Sequence, residues 1–139
     1  LFLKDSVAKP DSKDGFYFTH TFYTEKDKIN SDYFKAIEDI FLPKIKPKKL
    51  LRVQYNLYIG TSNIIEHDWH IDYEQEHKGL LYYLNTNNGQ THLLLNETEA
   101  LGVKSIEKRA LFFEPNKLHR STTCSDKPFR SNIIFNYHV

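Results

Sequence analysis

The clearest pattern in the chain is an alternation along Leu50–Ile59. Leu51, Val53, Tyr55, Leu57 and Ile59 take turns with Arg52, Gln54, Asn56 and Tyr58, the period-two signature of a strand with two unlike faces. Further segments predict strands at Ile64–Asp72, Gly79–Leu84, Thr91–Leu95, Ala110–Phe113, His119–Cys124 and Ser131–Tyr137. Gly60-Thr61-Ser62-Asn63, Asn87-Asn88-Gly89, Glu114-Pro115-Asn116 and Ser125-Asp126-Lys127-Pro128 separate them as turns. Upstream the pattern changes. Lys9–Gly15 is polar and reads as a loop before the aromatic run Phe16–Tyr23. Tyr33, Phe34, Ile37, Ile40 and Phe41 then recur at helical spacing, with Asn30 or Ser31 placed to cap, Asp32 at the positive end of the dipole and Pro43 to close. Pro47, set among Lys46, Lys48 and Lys49, reads as a solvated turn from helix to strand.

Many short strands, regular turns and one early amphipathic helix predict a mainly β fold, a sandwich or jelly roll with the helix packed outside. The length of 139 residues suits one domain, with a helix-containing part over 1–49 and a β core over 50–139.

Composition narrows the function classes. Aromatic residues make up 14% of the chain, which favours strands. Charged residues are 27% and nearly balanced at a net charge of +1, so general attraction to nucleic acid or anionic membrane is not expected. Cys124 is the one cysteine, which excludes an intramolecular disulfide; it reads as a small buried or half-buried residue. No apolar run is long enough to span a bilayer. The opening LFLKDS is too soon charged for a secretory signal, and a chain that starts with Leu and lacks Met leaves room for sequence upstream. A soluble, cytoplasmic protein is the expectation.

Candidate chemistry centres on Trp69-His70-Ile71-Asp72-Tyr73. On a strand, His70 and Asp72 share a face, which begins a metal site. His119, beyond a proline-containing turn, can supply a third ligand. Two histidines and one carboxylate form the facial triad of non-haem iron(II) oxygenases, which leaves coordination sites open. Arg130 opens the last strand, and its guanidinium can hold a carboxylate through two parallel hydrogen bonds. Among the other histidines, His67 and His77 read as exposed and His92 as a core or rim residue.

The order His-x-Asp, long gap, His, short gap, Arg resembles the 2-oxoglutarate/Fe(II)-dependent dioxygenase superfamily, and the prolyl-4-hydroxylase-like, small bacterial and phage-type members in particular. Leu80–Leu94 and Leu111–Tyr137 carry the likeness, which runs from about Arg52 to Tyr137. The resemblance implies a double-stranded β-helix (jelly roll, cupin-like), with Fe(II) on His70, Asp72 and His119. It implies 2-oxoglutarate as co-substrate, with Arg130 and Tyr83 on its far carboxylate and Tyr58 as a further contact. Asn56-x-Tyr58 and Arg130-x-Asn132 are similar to motifs of the AlkB-like nucleic-acid demethylases, although that pattern places another arginine where Asn136 stands. The implied activity consumes 2-oxoglutarate and O2, releases succinate and CO2, and hydroxylates an unidentified prime substrate, a prolyl peptide or a small molecule. A cupin-like metal-binding module without oxygenase activity and an AlkB-like demethylase are the alternative readings.

Overall fold

The computed structural model describes residues 1–4 and 15–139, so the loop expected at Lys9–Gly15 lies outside the described residues except for Gly15. The elements in chain order are β1 (Phe2–Lys4), β2 (Tyr17–Thr24), β3 (Lys28–Ile29), α1 (Phe34–Ile45), β4 (Lys49–Ile59), β5 (Lys78–Tyr83), β6 (Gln90–Leu94), β7 (Ala100–Lys104), β8 (Ala110–Phe113), β9 (His119–Ser121) and β10 (Phe129–His138). A large antiparallel sheet runs β1-β2-β4-β10-β5-β8, with β3 on β2, and a three-stranded sheet runs β7-β6-β9. The two sheets face each other as a jelly roll, with a cavity lined from both.

The alternation read along β4 decides where the core sits. Val53, Phe135 and Leu80 pair across three neighbouring strands and share one face. That face is the outer one. Together with Phe22, Ile133 and Tyr137 it packs against Phe34, Ile37, Phe41 and Ile45 of α1. These helix positions recur at three- and four-residue spacing and make a single stripe. Tyr33 and Ile40 fall off the stripe and are exposed, contrary to the sequence expectation. Phe135 is fully buried at the centre, and trimming it to Ala would cost about 3–5 kcal/mol.

The opposite face of the large sheet carries Arg52, Gln54, Asn56, Tyr58, Arg130, Asn132 and Asn136, and it points into the barrel. The polar face of the strand pattern is therefore the inside. A smaller apolar cluster fills one flank of the interior, with Leu81 and Tyr83 of β5, Leu111 and Phe113 of β8, Ile134 of β10 and Val103 of β7.

Three further expectations change. Pro43 does not close the helix, which continues to Ile45 and ends at Lys46 in the left-handed region, whose N–H bonds Leu42 O. Pro43 costs only the bond to the carbonyl of Asp39, an exposed residue that water can serve. Tyr33 at the N-cap makes no side-chain cap bond; Ser31, just before it, accepts from the Tyr33 N–H through Oγ at 3.3 Å and from the Phe34 N–H through its carbonyl at 3.0 Å. Ile64–Asp72 is not a regular strand. It touches the small sheet at two isolated bridges, Glu66 with Thr122 and His70 with His119. The aromatic run becomes β2, a full member of the large sheet, and β7 was without a sequence signal. No helix among the described residues is long and apolar enough to cross a membrane.

Candidate active site

His70 and Asp72 lie on the irregular segment, held by backbone bonds rather than a ladder. His70 and His119 exchange N–H···O bonds at 2.9 and 3.0 Å, and the Asp72 N–H donates to Pro115 O at 2.9 Å. The bridge sets the two imidazoles side by side, with ring centres 4.5 Å apart. One ligand atom from each of His70, Asp72 and His119 lies within 4.8 Å of the others.

The ring nitrogens are already sorted. His70 Nδ1 bonds Asp68 O at 3.1 Å, and His119 Nδ1 bonds Lys117 O at 2.9 Å. A carbonyl only accepts, so each Nδ1 carries a proton and each Nε2 is the nitrogen turned toward the cluster. Asp72 is sorted in the same way. Its Oδ2 takes a hydrogen bond from Asn136 Nδ2 at 2.8 Å and an ion pair with Arg52 Nη2 at 3.0 Å. Oδ1 is left facing His119 Nε2 at 3.5 Å and His70 Nε2 at 3.9 Å. Burial pushes the Asp72 carboxyl up, but Arg52, His119 and Asn136 outweigh it and hold the group far below the usual carboxylate range. Burial, seconded by His119, pushes His70 down and keeps its imidazole neutral.

Arg130 is completely buried. Its Nη1 donates to Ser121 Oγ and Thr122 O, both at 3.3 Å, and Nη2 donates to Thr91 Oγ1 at 2.9 Å. The guanidinium lies 5.4 Å from the Tyr58 ring centre and 5.7 Å from that of Tyr83. Nε has no partner, an orphaned donor in the interior. Gly89 makes room for this side chain, since a Cβ there would meet Arg130 Cδ at 2.6 Å. Thr91 and Ser121 line the cavity in front of Arg130. The open fork expected for a carboxylate is thus partly engaged, and hydroxyls stand at the wall.

The other expected residues gather in the same interior. Tyr83 is fully buried and donates from its hydroxyl to Thr91 Oγ1 at 2.7 Å. Tyr58, Asn56 and Asn132 line the cavity, whose volume is about 170 Å³. Burial raises both phenols, so Tyr58 and Tyr83 keep their protons. Asn56 Nδ2 donates to Asn132 Oδ1 at 3.0 Å.

Two histidine expectations are corrected. His67 and His77 are each only 2% exposed. His67 is drawn in beside β9, with Nδ1 3.0 Å from Ser121 Oγ and its ring stacked on Tyr58. His77 Nδ1 donates to Gln75 O at 2.8 Å, and its Nε2 accepts from Asn136 Nδ2 at 3.1 Å. His92 sits at a rim, accepting from Arg120 Nε at 3.0 Å. Cys124 is buried, as expected.

Sequence reasoning missed Thr91, Ser121, Arg52 and Asn136. Arg52 had a signal, because it lies on the same alternating face as Asn56 and Tyr58. It also stands directly opposite Asn136 in the β4–β10 register, and its Nε donates to Asn136 Oδ1 at 3.0 Å. Thr91 and Ser121 had none, since nothing local marks a hydroxyl that meets Arg130 across the barrel.

By sequence the chain matches no protein-family model and no curated protein. By structure it resembles an oxidoreductase of the 2OG-Fe(II) oxygenase family from Burkholderia pseudomallei, with a TM-score of 0.74 and 12% identity over 99% of this chain and 73% of that one. The shared fold is a double-stranded β-helix. A Pseudomonas putida prolyl-4-hydroxylase matches with a TM-score of 0.59 and 12% identity, over 88% of this chain and 69% of that one. A prolyl hydroxylase from Trichoplax adhaerens, in complex with a hypoxia inducible factor oxygen degradation domain peptide fragment, matches with a TM-score of 0.59 and 17% identity. That match covers 88% of this chain but 62% of the other, less than two thirds of its length. Identities this low speak for a shared fold.

Proposed function

We propose that the chain is a 2-oxoglutarate- and O2-dependent non-haem Fe(II) oxygenase that hydroxylates a peptide or small-molecule substrate and releases succinate and CO2. The observation that carries the reading is a pair of prepared groups about one cavity: the His70–Asp72–His119 cluster on its lining, and the buried Arg130, with its orphaned Nε, directly behind the lining residues Thr91 and Ser121. A metal module alone would have no use for the second.

The residues fit the groups they are assigned. Two imidazoles with Nδ1 turned to backbone carbonyls and Nε2 inward, with one carboxylate oxygen, suit a divalent iron. Thr91 Oγ1 accepts from both Tyr83 and Arg130, so its own proton is free for an anion in the cavity. Iron with 2-oxoglutarate and dioxygen supplies an oxidative decarboxylation coupled to C–H hydroxylation. The chain's own part is to bind and to orient. His70, Asp72 and His119 hold the metal from one side, Asn136 and Arg52 fix which Asp72 oxygen is offered, and Thr91, Tyr83 and Arg130 receive the far carboxylate. Leu81, Ile134 and Phe113 keep one flank dry. The Trichoplax neighbour's peptide complex supports a peptide among the candidate substrates.

The test is iron-dependent conversion of 2-oxoglutarate to succinate by the purified protein, with or without a prime substrate. No succinate, together with no thermal stabilisation of the metal-loaded protein by 2-oxoglutarate, would favour the cupin-like module instead.

A further inference from the structure

Three side-chain amides run in line along the polar inner wall. Gln54 Nε2 donates to Asn56 Oδ1 at 2.8 Å, and Asn56 Nδ2 donates to Asn132 Oδ1 at 3.0 Å. All three line the cavity of the His70–Asp72–His119 cluster. Asn56 and Asn132 are buried opposite each other on β4 and β10, so neither can exchange its partner for bulk water. Amides linked in this way have a direction. One end presents an N–H donor and the other a carbonyl acceptor. Turning one member forces the rest to turn, or sets like groups against each other.

The two ends differ in surroundings. Asn132 stands level with Tyr83 in the register, on the side of Thr91 and Arg130, where donors converge. An anion seated there favours the Asn132 Nδ2 pointing outward and disfavours the reversed chain. Gln54 ends the line on the side of Arg52, and in this direction its Oε1 is left to accept. The arginines among the described lining residues are engaged, Arg52 with Asp72 and Arg120 with Glu66. Nothing there complements a second carboxylate or a phosphate.

We propose that Gln54–Asn56–Asn132 is a directional relay whose donor end serves the anionic co-substrate and whose acceptor end, Gln54 Oε1, receives an N–H or O–H of the prime substrate. The site then selects an uncharged, donor-bearing group such as a carboxamide over a carboxylate or phosphate. The inference rests on the oxygenase reading, because 2-oxoglutarate is the anion that sets the direction. It also links the subsites: reversing the relay at Gln54 disturbs a co-substrate that Gln54 does not touch.

The experiment uses the Mn(II)-loaded protein and calorimetric binding of 2-oxoglutarate. Gln54→Glu replaces a donor with an acceptor-only group, so Asn56 must turn and Asn132 must face the anion with its carbonyl. Affinity for 2-oxoglutarate falls by about tenfold. Gln54→Leu removes the end without forcing reversal, and affinity stays within about threefold. Unchanged Mn(II) affinity in both variants reports an intact fold and metal cluster. On the Mn(II)·2-oxoglutarate complex, acetamide and acetate serve as minimal probes by paramagnetic line broadening. Acetamide should be broadened by the wild type and not by Gln54→Leu. The relay is overturned if Gln54→Glu binds 2-oxoglutarate like the wild type, if Gln54→Leu loses as much, or if acetamide is not preferred over acetate. Failure of the wild type to bind 2-oxoglutarate at all is a distinct result, which overturns the oxygenase reading and the relay with it.

Discussion

Arg52 Nη2 lies 3.0 Å from Asp72 Oδ2, and this ion pair crosses the barrel from β4 to the irregular segment that carries two of the three candidate metal ligands. The pair does more than neutralise. With Asn136 it occupies one carboxylate oxygen and leaves the other for a metal. Replacing Arg52 with Met should free Asp72 to rotate and weaken binding of Mn(II) or Fe(II) by about 10–100-fold. Calorimetry on the metal-free protein checks this. Equal affinity in the variant would remove Arg52 from any positioning role.

Thr91 gives a sharper test of the anion end. Thr91→Val keeps the shape, removes the Thr91 hydroxyl proton and takes the acceptor from Arg130 Nη2 and the Tyr83 hydroxyl. Affinity for 2-oxoglutarate should fall by about tenfold, with metal affinity kept, while Thr91→Ser stays near wild type. Arg130→Met should abolish the thermal shift that 2-oxoglutarate causes. An unaltered shift in Arg130→Met would place the co-substrate elsewhere.

Acid should destabilise the metal-free protein in two stages. The folded His70 sits below its ordinary value because of burial and His119, so the unfolded chain binds its proton first. Stability is complete above the ordinary imidazole value and begins to fall as pH drops through about 6.5. The folded Asp72 is held low as well, so a second loss sets in as pH falls below about 4 and continues beneath it. Thermal melts across pH would show both stages, and Asp72→Asn should lack the lower one.

Next to His119 on β9, Arg120 stacks 4.5 Å over Trp69, pairs with Glu66 and donates to His92. This clamp fastens the segment that has only two bridges. Arg120→Ala should weaken metal binding by about tenfold and expose Trp69 to a soluble fluorescence quencher. If the quenching of Trp69 stays unchanged, the clamp does not hold the segment.

What could be read from residue order has a physical pattern. The alternation through Val53 and Asn56 was legible because one long strand keeps both of its faces constant. His70, Asp72 and His119 were legible because their residue types and order are demanding. The segment Ile64–Asp72 was misread because an apolar, alternating stretch needs a partner of similar length, and β9 has three residues. His67 and His77 were misread as exposed because their burial comes from contacts with Ser121, Tyr58 and Asn136, all distant in sequence. Thr91 acts through partners on other strands, which local pattern does not reveal, whereas for Arg52 the alternation shows the face but not the partner Asp72 on a distant segment.

The placement of the apolar core under α1, outside the barrel, separates two kinds of selection. Substitutions among Val53, Leu80, Phe135 and the helix stripe are judged by folding. Those among Arg52, Gln54, Asn56 and Asn132 fall on the other face of the same strands and are judged by chemistry. Neighbouring codons along β4 therefore answer to different constraints, and the lumen can be rewritten for a new substrate while the scaffold that carries it is left untouched.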